Sequence, residues 1–144
     1  MRLTTFTDYS LRVLMYVAAR PERRVTIAEI AAAFAISASH LTKVVNHLGK
    51  HGWLVNVRGH GGGLRLACPA ADISVGAVVR AAAAGAALVE CFKPRGNRCV
   101  ITPVCALRGV LAQALEGFYA ALDRTTLSDI TRNRGRLQRA LGIA

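Results

Sequence analysis

The chain has 144 residues, with 19 Lys and Arg against 8 Asp and Glu, for a formal net charge of +11. That length accommodates one domain with a core, or a small domain plus an oligomerising appendage, and the charge favours a polyanionic partner, nucleic acid or an anionic membrane. The most apolar run, residues 81–89, is closed by Arg80 and Glu90 and is too short to span a bilayer. The opening Met-Arg-Leu-Thr-Thr-Phe-Thr-Asp lacks the apolar stretch and cleavage site of a secretory signal, so a cytoplasmic location and no membrane partner are expected.

Leu11, Val13, Leu14, Val17 and Ala18 predict a first helix over 8–20, capped by Thr7 or Asp8 and ended by Pro21. Thr26-Ile-Ala-Glu29 is a capping box that opens a second helix, with Ile27, Ile30, Ala31 and Phe34 on one face. After a break at Ala35-Ile36, Ser37 or Ser39 caps a third helix, which Gly49 and Gly52 weaken and end. Its inward face is Leu41, Val44, Val45 and Leu48; its outward face carries His40, Thr42, Lys43, Asn46, His47 and Lys50. The pair outlines a helix-turn-helix, although any small helical domain can contain such a pair.

The next segment decides between these. Residues 53–58 alternate as a strand, Gly59-His-Gly-Gly-Gly63 forms a turn, and residues 64–67 form a second strand. This is a β-hairpin directly after a candidate recognition helix, with Arg58 and His60 at its tip: a winged helix. The glycine run lacks the Lys-Ser/Thr of a phosphate loop, and no helix opens after it. His47 and His51 have the spacing of a metal pair, but no cysteine or carboxylate lies near them in sequence, so phosphate contact is their preferred role.

Asp72 or Ser74 begins a fourth helix with Val75, Val78, Val79 and Ala82 on one side, broken at Gly85. A long helix over 106–122 then carries a nearly continuous stripe of Leu107, Val110, Leu111, Ala114, Leu115, Phe118, Tyr119 and Leu122. Because the winged helix already has a three-helix core, this stripe is expected to bury itself against a second copy. Thr125 or Thr126 caps a short last helix with Leu127 and Ile130. The tail from Thr131, with four arginines, has three fates open to it: loose, packed on the dimer, or touching DNA. The fold class is therefore mainly α, a winged helix-turn-helix with a two-stranded wing and a long C-terminal dimerisation helix. Residues 1–71 form the DNA-binding domain and 72–144 the cysteine loop and dimerisation helices.

Between the fourth and fifth helices lie Cys91, Cys99 and Cys105, separated by seven and five residues in a loop containing Pro94, Gly96, Asn97 and Pro103. Three soft thiolates awaiting a fourth ligand suggest a metal or iron–sulfur site. Zinc is less favoured because no Cys-x2–4-Cys pair exists; a bare thiol switch is a third option. Cys68 reads as a small buried residue rather than a ligand. An enzyme using the loop ranks low: there is no Cys-x-x-Cys and no nearby histidine to activate a thiol. A non-specific RNA-binding or architectural protein is the remaining rival, separable by its lack of duplex sequence preference.

The opening 1–12, the wing Val57-Arg-Gly-His-Gly-Gly-Gly-Leu-Arg-Leu66, the segment Ile73-Ser-Val-Gly76, and the three cysteines followed by Leu107-Arg108 together carry a family resemblance. To about Ile130 the chain resembles the NsrR/IscR/RirA regulators, dimeric winged-helix repressors with iron–sulfur clusters. The segment Phe118-Tyr-Ala-Ala-Leu-Asp-Arg-Thr-Thr-Leu-Ser-Asp-Ile130 is similar to the NsrR branch, which responds to nitric oxide. The histidine ligand of IscR-like members is replaced by Arg108, which stays protonated and cannot ligate. The resemblance implies that Asp8, otherwise a plain helix cap, is the fourth ligand, given by the partner subunit. The implied cofactor is a 4Fe–4S cluster, with 2Fe–2S as the alternative, and iron status or redox as alternative signals to nitric oxide. The gap between Cys91 and Cys99 is longer than usual and reads as an insertion in a variable loop. For DNA, Ser39, His40, Thr42, Lys43, Asn46 and His47 are expected at a major groove, with Arg58 and His60 in a minor groove of a pseudo-palindromic double-stranded operator.

Overall fold

The core is organised on one helix, α1 (Thr5–Ala19), which buries Val13, Leu14, Tyr16, Val17, Ala18 and Ala19. The computed structural model describes residues 3–143; Met1 and Arg2 of the opening motif lie outside the described residues. Helix α1 starts earlier than its apolar periodicity predicts. Thr4, not Thr7 or Asp8, is the N-cap, its Oγ1 accepting the Thr7 amide at 3.1 Å. The apolar pattern starts late because the first buried positions are polar. Thr7 and Ser10 are both fully buried, with local hydrogen bonds to Thr4 and to the Phe6 carbonyl. Arg20 is the C-cap, one residue before Pro21.

Helix α2 (Ile27–Phe34) opens on the Thr26–Glu29 capping box, and Ala35 breaks it by adopting a left-handed conformation at φ 53°. Helix α3 (Ala38–Lys50) is capped by Ser37, with Leu41, Val44, Val45 and Leu48 buried. Strands β1 (Leu54–Val57) and β2 (Gly63–Leu66) pair antiparallel from Leu54↔Leu66 to Val57↔Gly63. Their turn needs glycine at 62, where a Cβ would sit 2.4 Å from the Val57 carbonyl oxygen. Val25, just before α2, adds a bridge to Leu64 through hydrogen bonds of 3.0 and 2.7 Å, so the hairpin is tied to the helix-turn-helix.

Helix α4 (Val75–Ala82) is capped by Ser74, α5 (Ala106–Asp123) follows the cysteine loop, and α6 (Leu127–Ile130) opens on a Thr126–Asp129 capping box. The chain then returns. The Leu127 amide donates to the Ile73 carbonyl at 2.8 Å, and Leu127 and Ile73 both enter the core with Leu14, Tyr16, Ile30, Leu41, Leu48 and Leu64. Each such aliphatic side chain contributes roughly 1.5–3 kcal/mol by leaving water. The tail forms α7 (Arg134–Ala140) and packs on its own chain: Gln138 Nε2 donates to the Ala19 carbonyl at 2.7 Å, and Leu141 and Ile143 lean on the core.

Helix α5 lies along α4, held by Arg80, whose guanidinium bonds both oxygens of Asp123 and stacks over the Tyr119 ring at 4.4 Å. None of its residues is buried, and Leu107 and Val110 are 61% and 62% exposed. The architecture is mainly helical with a two-stranded antiparallel wing, the class the sequence predicts. Among the described residues no helix is long and apolar enough to cross a membrane.

Candidate DNA interface and cysteine loop

Helix α3 shows a solvent face because its apolar residues recur at 41, 44, 45 and 48 and its polar ones fall between. Ser39, Thr42, Lys43 and Asn46 are exposed and His40 is half-exposed. Ser39 and His40 sit in the first turn, where the His40 amide donates to the Ser37 Oγ at 3.3 Å. Arg58 and His60 are exposed at the wing turn. Arg24 Nη1 donates to the Gly61 carbonyl at 2.9 Å, fixing the wing tip to the turn before α2. Sequence reading missed Arg24, since nothing in the local pattern shows which carbonyl a surface arginine will reach.

His47 is set differently from its neighbours on this face. It is half-buried, packed edge-on against Phe6 at 5.1 Å and against His51 at 4.5 Å, and its Nε2 is enclosed without a hydrogen-bond partner. Burial, reinforced by His51 and Lys50, pushes its pKa below the ordinary value. His51 in turn stacks on Trp53 ahead of β1. Tyr9 meets His40 edge-on at 5.0 Å. Phe6 and Tyr9 therefore bracket Asp8 in sequence, and both touch the solvent-facing helix.

Asp8 itself lies in the first turn of α1, half-exposed, with Oδ1 accepting from Arg12 Nε at 3.1 Å and Oδ2 at 2.9 Å from Arg12 Nη2. This i,i+4 ion pair leaves the carboxylate reachable from solvent.

The cysteine loop is stitched by its polar residues. Glu90 Oε1 accepts the Arg98 amide at 2.8 Å, Asn97 Oδ1 accepts the Cys99 amide at 3.0 Å, and Thr102 Oγ1 donates to the Cys99 carbonyl at 2.8 Å. Asn97 also reaches Thr102 at 3.0 Å. The Gly96-Asn97 pair signals a turn in the sequence, but the long-range role of Glu90 is not legible there. Cys91 lies in a short 3-10 turn, Cys99 in the stitched loop, and Cys105 is the N-cap residue of α5. All three are free and half-buried. Among the described residues, no three His, Cys, Asp or Glu side chains converge to hold a metal ion within this one chain. Around the thiols, Val100 and Val104 are 91% and 83% exposed, an apolar surface with nothing over it. Cys68 stands apart after β2, half-buried at the core edge, where burial pushes its thiol pKa up.

Residues 3–133 match the model of a family described as Rrf2, iron-dependent transcriptional regulator. The chain belongs to the Rrf2 family. Its Rrf2 relatives include the HTH-type transcriptional regulator NsrR of Geobacillus kaustophilus, 49% identical over 98% of this chain and 97% of that protein. NsrR of Bacillus subtilis is 45% identical over the same shares. Among solved structures, T. potens IscR aligns with a TM-score of 0.73 at 24% identity, over 96% of this chain and 91% of that one. The oxidized form of Staphylococcus aureus CymR aligns at 0.72 and 24%, over 90% and 95%. The two structural likenesses speak to the fold. The Rrf2 match and the full-length NsrR relatives make the chain a DNA-binding transcriptional regulator, with relatives named for regulation and not for catalysis.

Proposed function

We propose that this Rrf2-family regulator is a homodimeric repressor whose grip on a pseudo-palindromic operator depends on an iron–sulfur cluster that reacts with nitric oxide. The observation that carries the reading is the donor set. Three free thiols lie in a loop of fifteen residues, and a half-exposed carboxylate stands in the first turn of α1. Cys91, Cys99 and Cys105 would hold the cluster, with Asp8 contributed by the other subunit. Thiolates are the donors that iron–sulfur clusters take, and a carboxylate is the hard, exchangeable member of such a set. When bound, the cluster would supply an iron open to nitric oxide at the carboxylate corner; 4Fe–4S fits this donor count, with 2Fe–2S the alternative.

The chain's own residues perform the rest. A second copy covering the exposed Val100, Val104, Leu107 and Val110 would bring its α1 to the loop, so that loop closure and dimer contact are one event. Arg12 competes for Asp8 whenever the carboxylate is released. Phe6 and Tyr9, on either side of Asp8, pass a shift of α1 to His47 and His40 on α3. Ser39, His40, Thr42, Lys43 and Asn46, with His47 at the inner edge, would meet the major groove, and Arg58 and His60 the minor groove. Residues 1–71 would thus carry the contacts to DNA, and 72–144 the sensing loop and dimer helix. Release is then a population shift away from the DNA-competent dimer.

The test is anaerobic purification of the full chain with iron and sulfide analysis, then nitric-oxide titration followed by operator gel shift. Wild type should be coloured and release operator as nitric oxide is added; Cys99→Ser should lack iron, sulfide and visible absorption. Colour retained in Cys99→Ser, or operator binding indifferent to nitric oxide in coloured protein, would overturn the reading.

A further inference from the structure

At the far end of α1 from Asp8, roughly 18 Å along the helix at ~1.5 Å per residue, lies a second site. A cavity of about 310 Å³ opens there between the end of α1, the turn to α2, the exit of β2 and the start of α7. Four arginines line it, Arg20, Arg23, Arg65 and Arg134, and no acidic residue does. Its floor is apolar, with Val17 and the Cys68 thiol among the groups exposed to it.

The charges are poorly compensated. Arg23 is engaged by Glu29 and by the Arg24 carbonyl. Arg20 reaches Glu22 only at 3.8 Å, and its Nε is buried without a hydrogen-bond partner. Arg65 and Arg134 form no ion pair among the described residues. Like charges that share a concave wall repel one another, and an orphaned buried N–H carries the desolvation cost with no return. Both penalties vanish when an oxyanion enters, because guanidinium forks match carboxylate and phosphate oxygens two at a time. A solvated basic face would explain exposed arginines. It does not explain a buried, unpartnered donor on a residue that lines a cavity large enough for a small molecule.

We propose that this cavity binds a small organic oxyanion, phosphorylated or polycarboxylic, with its charged groups on Arg20, Arg65 and Arg134 and its carbon skeleton on the apolar floor. The site uses neither Asp8 nor the three loop cysteines, so it is a second input to the regulator, separate from the sensing loop. Its walls come from the end of α1 with the turn to α2, from the wing and its exit, and from the C-terminal helix, so an occupant ties the three together.

The experiment is calorimetric titration of the full chain with glycerol 3-phosphate and with citrate, at ionic strength fixed by sodium chloride. Saturable binding at one site per chain is expected for at least one of them. Affinity should fall at least tenfold in Arg134→Ala, an exposed position whose loss spares the core, and in Arg20→Gln. Melting without ligand checks that both variants are folded. Binding should persist unchanged in Cys99→Ser, which separates this site from the cluster reading. Absence of saturable heat with both compounds, or equal affinity in Arg134→Ala, overturns the proposal. One further result would do so. If Arg65→Ala and Arg134→Ala weaken duplex binding with a shallower salt dependence, and neither compound competes, the arginines serve the DNA backbone instead.

Discussion

Gly76 and Asp123 meet so closely that the side chain of one is set by the absence of a side chain on the other. A Cβ at 76 would fall 2.0 Å from Asp123 Oδ1 and 2.8 Å from the Asp123 backbone nitrogen. The carboxylate could swing aside, but the backbone nitrogen cannot without moving the end of α5. Gly76→Ala is therefore expected to destabilise the chain by about 1–3 kcal/mol, read as a lowered urea midpoint at unchanged slope. It should also part Arg80 from Asp123. A loss under ~0.5 kcal/mol, the size of an ordinary surface change, would mean that α5 is free to ride up on α4. A neighbouring lesson comes from Arg12. It takes both oxygens of Asp8 in the single chain, so a residue that looks like a bystander in the sequence is the group any other partner of Asp8 must displace.

At the scale of elements, the start of α2 rests on charge as well as capping. The Arg23 guanidinium first, then the Thr26 amide and hydroxyl, hold the Glu29 carboxyl down at about 2 against an ordinary 4.5. A depressed carboxyl stabilises the fold above its unfolded pKa and stops doing so as pH falls through its folded one. Stability should therefore drop between pH 4.5 and about 2, and Glu29→Gln should flatten that part of the curve in thermal melts taken across the range. Thr26 and Glu29 were legible in the sequence because a capping box is a local pattern, while Ser37 at α3 and Thr126 at α6 were each one of two caps the sequence offered. The helix spacing and the glycine turn likewise foretold α3 and the wing. What was not legible depends on contacts distant in the chain. Thr4 replaced Asp8 as the cap because buried Thr7 and Ser10 masked the apolar period. The tail became α7 because Gln138 finds the last carbonyls of α1, 119 positions away. Of the candidate site, residue types and spacing could be read, but not their setting: His47 turned inward on Phe6, Glu90 stitched to Arg98, and four arginines gathered from three separate elements.

For the whole molecule, the net charge of +11 draws the regulator to any duplex, so in the proposed dimer discrimination would come from placing two copies in register. In the proposed dimer the exposed Leu107 and Val110 on α5 would face the second copy. Val110→Glu should shift the chain from dimer to monomer in light scattering coupled to size exclusion, while leaving its melting nearly unchanged. An intact dimer would move the contact off this face of α5. The return of the chain after α5 constrains which parts of it can be exchanged. Leu127 is planted in the core beside Ile73, and Thr126 is bridged to Ser74, so the core beneath the winged helix is finished only by residues that follow the cysteine loop. A foreign sensor joined behind residue 71 would leave a hole where Leu127 belongs. Exchanging what lies between α4 and Asp123 would instead leave Leu127, Ile73 and the Ser74–Thr126 bridge in place, like a cassette clipped into a frame whose two ends are already fastened to each other.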